Sequence, residues 1–178
     1  VSSIALGGNG KLEDLKANTY IGSADNVEDT LTNMIATIGE NMELRRSASL
    51  EVSNGVVSSY MHNALKPGLG KIGVLVALES DVDAEQLEAL GKQLAMHVAA
   101  ANPQAISRDD VNTDDLEREK TILAEQAREY GKPDDIIAKM VEGRLRKYYE
   151  EVCLLEQTYV IDGDNIIWLT GLTCLFSK

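Results

Sequence analysis

The chain has 178 residues, of which 29 are acidic and 17 basic, and carries a formal net charge of −12. A surface so acidic repels a phosphate backbone, so direct binding of nucleic acid is not expected. No stretch approaches the roughly 20 apolar residues of a membrane span, and no signal peptide is recognisable, so a membrane is not expected either.

The length suits one moderate domain or two small subdomains around a core. Aromatics make up only 4% of the residues, so Leu, Ile, Val, Ala and Met must fill that core. The chain starts at Val1 rather than Met, which reads as a fragment or a processed form. Ser3-Ile4-Ala5-Leu6 reads as the tail of a helix closed by Gly7-Gly8, and Leu12 with Leu15 as a helical turn. A loop at 20–23 precedes a helix over 27–39, capped by Asp25 or Asn26, with Leu31, Met34, Ile35 and Ile38 inward.

Residues 42–52 then alternate. Met42, Leu44, Ala48, Leu50 and Val52 are apolar, and Glu43, Arg45, Ser47, Ser49 and Glu51 lie between them. Period two predicts a strand with one wet face, interrupted at Arg46. Ser53-Asn54-Gly55 reads as a hairpin turn. A return strand over 56–62, a loop over 63–70 and a third strand over 72–78 complete a three-stranded antiparallel meander. Leu75 and Ala77 make the back of that third strand apolar as well, so it is expected to be central and covered on both faces.

A helix over 84–102 follows, with Asp83 as N-cap, Gln86 completing a capping box and Pro103 as stop. Leu87, Leu90, Leu94, Val98 and Ala101 form one stripe, but from Leu94 to Ala101 every residue except His97 is apolar. A helix apolar all round packs on more than one side. His97 is then either hydrogen-bonded in the core, which the residues alone favour, or a recognition residue at the helix edge.

Beyond it, Leu116, Leu123, Ala127 and Tyr130 mark one charged helix, and Ile137, Val141, Leu145, Tyr148 and Val152 a second. Gly131-Lys132-Pro133 separates them, with Pro133 at the first helical position and Asp134 and Asp135 at the positive helix end. Two such helices, each about 25 Å long, form an antiparallel hairpin whose narrow stripes suit an arm projecting into solvent. Residues 158–161 suggest a strand, 162–165 a turn and 166–176 a final strand.

No residue set supports catalysis, and neither a metal nor a cofactor is expected. Asp162-Gly163-Asp164-Asn165 lacks the later ligands and closing Glu of a calcium loop, and Gly7-Gly8-Asn9-Gly10 lacks the Lys of a phosphate loop. Cys153 and Cys174 have no metal or redox spacing. Cys153, beside Val152 and Leu154, reads as a small buried hydrophobe in a reducing compartment.

Five blocks, in this order, resemble the translation elongation factor Ts family: Ile38-Gly39-Glu40-Asn41-Met42-Glu43-Leu44-Arg45-Arg46, Lys71-Ile72-Gly73-Val74-Leu75-Val76, Ala95-Met96-His97-Val98-Ala99-Ala100, Gly131-Lys132-Pro133 and Val141-Glu142-Gly143-Arg144-Leu145. The wording is similar to the alphaproteobacterial branch, with mitochondrial forms close to it. The resemblance implies an α+β fold: two small subdomains with antiparallel three-stranded sheets and packed helices, plus a protruding antiparallel coiled coil. Laid on this chain, that gives an N-terminal core subdomain at 1–80, a C-terminal one at 81–113 and 156–178, and the helical hairpin inserted at 114–155.

The implied function is guanine-nucleotide exchange on elongation factor Tu, in its GDP-bound and nucleotide-free forms, without any bond made or broken. The alternative is a non-exchanging core that dimerises or docks on a partner. The implied partner-binding residues are His97, Ile72, Gly73 and Met96, with His97 facing the partner's G domain. A homodimer through the second subdomain is compatible with the family. The implied compartment is the bacterial cytoplasm, or the mitochondrial matrix for the organellar forms. Two departures are expected. The family's N-terminal helical domain and its Thr-Asp-Phe-Val motif are absent upstream of Val1. Near the end, Asn165-Ile166-Ile167-Trp168 runs directly into Leu169-Thr170-Gly171-Leu172 where the family has a helix.

Overall fold

The computed structural model describes residues 1–8, 10–129, 131, 133–161, 163, 166–167 and 173–177, the last strand by its backbone and the Cys174 side chain. Tyr130, most of the expected turn at 162–165 and the run 168–172, where the missing helix was expected, lie outside the described residues. The chain forms two compact units, Val1–Glu51 and Val52–Lys178. The break does not fall near residue 80, because the helix after that point shares a core with the two strands before it.

In the first unit, α1 (Ser2–Ala5) and α2 (Leu12–Ala17) are short, with Leu15 buried on α2. The long helix α3 (Val27–Ile38) begins where Asn26 Oδ1 accepts from the Asp29 N–H at 2.7 Å. It ends at Gly39, which takes a left-handed φ of 78°. Leu31 and Ile35 are half-buried, but Met34 and Ile38 are 44% and 54% exposed and do not turn inward as expected. The six residues of α2 span only about 9 Å, and they meet α3 at its Val27 end. There the Val27 N–H donates to the Asn18 carbonyl and Lys16 pairs with Glu28.

Residues 42–51 are not the expected first strand; they belong to no ladder. Half-burial does alternate at Met42 and Leu44, and its phase slips after Arg46 to Ser47 and Leu50. The pattern specified one shielded face, which an unpaired extended chain also provides.

The second unit is built on one antiparallel sheet in the order β1-β2-β3, with β1 (Gly55–Lys66), β2 (Leu69–Glu79) and β3 (Thr173–Ser177). The third strand therefore comes from the far end of the chain rather than from 42–52, and the described residues hold one sheet, not two. The segment Ser53-Asn54 is not a hairpin turn. It leads into β1 and is tied to the end of β2: the Asn54 side-chain amide donates to Asp81 Oδ1 at 2.6 Å, and the Ser80 N–H donates to the Asn54 carbonyl at 3.2 Å. Gly55 is obligatory here, because a Cβ would lie 1.9 Å from the Leu78 carbonyl oxygen.

The eight-residue loop expected at 63–70 is instead the tip of a β-hairpin, turned by Pro67-Gly68 alone. Proline presets the first central φ, and Gly68 takes a φ of 74° at the second. A register shift between Ala64 and Lys66, next to Asn63 at φ 51°, absorbs the irregularity. As expected, β2 is central and shielded on both faces: Val74, Val76 and Leu78 are buried on one, Ala77 on the other.

Helix α4 (Ala84–Ala101) packs across β1 and β2 through Leu87, Gly91, Leu94 and Val98. After it, single 3₁₀ turns at Arg108–Asp110 and Leu154–Glu156 flank α5 (Thr113–Glu129) and α6 (Asp134–Val152). The interior of this pair is Leu123, Ala127 and Ile137. Arg144 Nη1 donates to Gln126 Oε1 at 2.8 Å, and Asp115 and Glu119, early in α5, act on Tyr148, late in α6. The two helices therefore lie side by side. Pro133 caps α6 rather than opening it. Residues 158–161 are not a strand: Thr158 makes one isolated bridge to Ile166, and the chain turns at Val160.

Candidate partner-binding site

The site is built on α4. Asp83 Oδ2 accepts from the Glu85 N–H at 3.1 Å, without the box expected with Gln86, and Asn102 in the left-handed region closes the helix before Pro103. Gly91 sets how close the helix comes to the sheet. A Cβ there would lie 2.3 Å from Ser58 Oγ and 2.8 Å from Ser58 Cβ. The buried Ser58 hydroxyl donates to the Glu88 carbonyl at 3.4 Å, so the strand hydroxyl is satisfied by the helix it supports.

The other side of α4 is covered by the return segment after α6. A parallel bridge joins Ala105 and Cys153, the Leu154 N–H donates to the Ala105 carbonyl, and Leu154 enters the core beside Leu94 and Val98. This is the second packing side that the apolar run implied. The anchor of the helical pair is fixed nearby. The Arg108 guanidinium forks onto the Glu156 carboxylate, with Nη2 to Oε2 at 2.6 Å, and stacks 4.7 Å over the Tyr149 ring. The Glu156 carboxylate raises the Arg108 pKa further above its ordinary value.

His97 lies inside this second layer and is 0% exposed. It does not stand at an exposed edge of the helix; it is buried, and both ring nitrogens are satisfied. Its Nε2 bonds to Gln157 Oε1 at 2.9 Å, and its Nδ1 accepts from the Val160 N–H at 3.3 Å. The Tyr159 ring tilts against the imidazole at 5.9 Å between centroids. The physical reason is the run 157–160, which folds across the helix just where its polar residue emerges. Burial lowers the His97 pKa below the ordinary 6.5, partly opposed by the bond to Gln157.

The other three predicted residues lie elsewhere. Met96 points away from both packed sides and is 43% exposed, with Ala100 also exposed on that face. Ile72 is half-buried and packs on the core between sheet and helix. Gly73, next along β2, faces the opposite side of the sheet, where a Cβ would meet Met61 Sδ and Cε at 3.2 Å. The four therefore share one end of the α4–β2 layer but not one continuous surface. Gln157, which no sequence signal marked, is the residue that holds the site together. The described residues contain no cluster of three or more His, Cys, Asp or Glu able to hold a metal ion.

Comparison with known proteins gives a consistent picture. A model of the family described as Elongation factor TS matches residues 1–168. Elongation factor Ts of Rhodospirillum rubrum is 58% identical over 168 residues, covering 94% of this chain and 54% of that protein. The protein of the same name from Paramagnetospirillum magneticum is 57% identical over 167 residues, with the same two shares. That from Magnetococcus marinus is 60% identical over 154 residues, or 86% of this chain and 49% of the relative. The chain thus spans about half the length of the curated relatives it matches.

Proposed function

The chain belongs to the elongation factor Ts family, and from that premise we propose that it acts in translation elongation as a guanine-nucleotide exchange factor, promoting GDP release from elongation factor Tu in the bacterial cytoplasm. The observation that carries this reading is Met96: a large, flexible apolar side chain, exposed beside alanine, on a helix clamped from two sides. Clamping matters physically. A helix that cannot yield transmits the binding energy to the partner, whose nucleotide-contacting elements must then move.

In this mechanism Met96 and the neighbouring alanine face wedge against the G domain. The Ile72–Gly73 edge flanks the contact, at the end of the sheet toward which α4 returns. His97 acts from beneath by fixing the layer behind Met96 and does not touch the partner. The antiparallel pair α5–α6 serves as a protruding coiled-coil arm with a second contact. No bond is made or broken. By linkage, GDP weakens the grip of this chain on elongation factor Tu by the same factor as the chain weakens GDP.

The test is release of labelled GDP from elongation factor Tu with and without the chain. Acceleration that saturates with chain concentration is the expected result. Stable co-migration with elongation factor Tu and no acceleration at any concentration would replace exchange by the docking reading, in which this half of the family's length binds without driving release.

A further inference from the structure

The hydrogen-bond pattern around His97 fixes its protonation state. Gln157 Nε2 donates to two carbonyls, Glu151 at 2.6 Å and Ala101 at 3.4 Å, so its amide cannot be turned over and Oε1 must be the atom facing His97. An amide oxygen only accepts, so His97 Nε2 carries the hydrogen. The Val160 N–H only donates, so Nδ1 carries none. A neutral ring with hydrogen on Nε2 satisfies every partner, and a protonated ring does not: its second N–H would point at the Val160 N–H.

The same few bonds join three parts of the second unit. Ala101 ends α4, Glu151 stands in the last turn of α6, and Val160 lies on the return segment. Among the described residues, no ionised group stands against the ring to compensate a positive charge. Tyr159 is its titratable neighbour on the segment, and the Tyr159 hydroxyl donates to Gln93 Oε1 at 3.1 Å. Glu151 offers only its backbone carbonyl, and the Glu156 carboxylate is held by Arg108.

We propose that His97 and Gln157 form a proton-operated latch: the neutral imidazole closes residues 157–160 over α4 and ties the end of α6 to it, and protonation at Nδ1 releases that segment. The depressed pKa of the ring agrees with this sense, since the closed state prefers the neutral form. The latch is a property of the packed second unit and stands whether or not the chain drives exchange.

Nuclear magnetic resonance on the intact chain tests it in two readouts: the ring nitrogen shifts of His97 and the exchange protection factor of the Val160 amide. The expected result is a ring with hydrogen on Nε2 at about pH 7.5, and a Val160 protection factor that falls as the pH drops from about 7.5 to about 5.5, by up to about tenfold, as for a ring that titrates near 6.5 when released and lower when held. The variant His97→Gln should retain Val160 protection that no longer depends on pH over that range. A ring with hydrogen on Nδ1, or wild-type protection unchanged across the range, overturns the latch whether or not the variant folds. So does a loss of protection unaccompanied by any change in the ring nitrogens.

Discussion

At the scale of single residues, several side chains are held by geometry that substitutions can probe. His97→Ala would leave Gln157 Oε1 and the Val160 N–H unpaired and open a void between α4 and the return segment. A loss of about 2–4 kcal/mol in denaturant-measured stability is expected. The wild-type chain should also lose stability in mild acid. The folded-state pKa of His97 is lowered, so the unfolded chain binds the proton more readily. The contribution is fully present above the unfolded value of 6.5 and is lost as pH falls from there toward the folded pKa. Gly91→Ala drives a methyl into Ser58 and should cost about 1–3 kcal/mol, although alanine is the better helix former at an open site. Burial raises the thiols of Cys153 and Cys174 to a pKa of about 11. Both should resist alkylation at about pH 8 in the native chain and react at once in denaturant, as counted by mass spectrometry.

At the scale of elements, the sequence was most informative where ends are chemically marked. Asn26 and Gly39 bound α3, Asp83 and Pro103 bound α4, and the Gly131–Pro133 breaker separates α5 from α6. Caps act locally, so they are visible locally: Asn26→Ala should cost about 1 kcal/mol, measured as a shift in the denaturation midpoint. Pairing partners are not local. The alternation at 42–52 names a shielded face but no neighbour, and the strand that completes the sheet lies at 173–177, beyond reach of any pattern near β2. Residues 63–66 carry no alternation because that end of β1 is exposed on both faces, so a strand there looks like loop. The site follows the same division. That α4 is packed on two sides could be read from the run Leu94 to Ala101, with His97 as its one polar member. What covers His97 could not, since Gln157 lies 60 positions away. The family blocks pointed to this stretch of helix, where His97 is buried and its neighbour Met96 is exposed.

At the scale of the whole molecule, a net charge of −12 and a clamped helix with one exposed methionine suit a protein surface better than a polyanion. The central claim is that the Met96 face, and not the His97 ring, meets elongation factor Tu. The most direct measurement is the rate of labelled GDP release from elongation factor Tu driven by Met96→Glu, beside the wild-type chain and at matched thermal stability. Placing a charge at the centre of the contact should lower the second-order rate about tenfold or more, equivalent to at least about 1.4 kcal/mol, with the melting temperature unchanged. A Met96→Glu chain that releases GDP as fast as wild type would contradict the account.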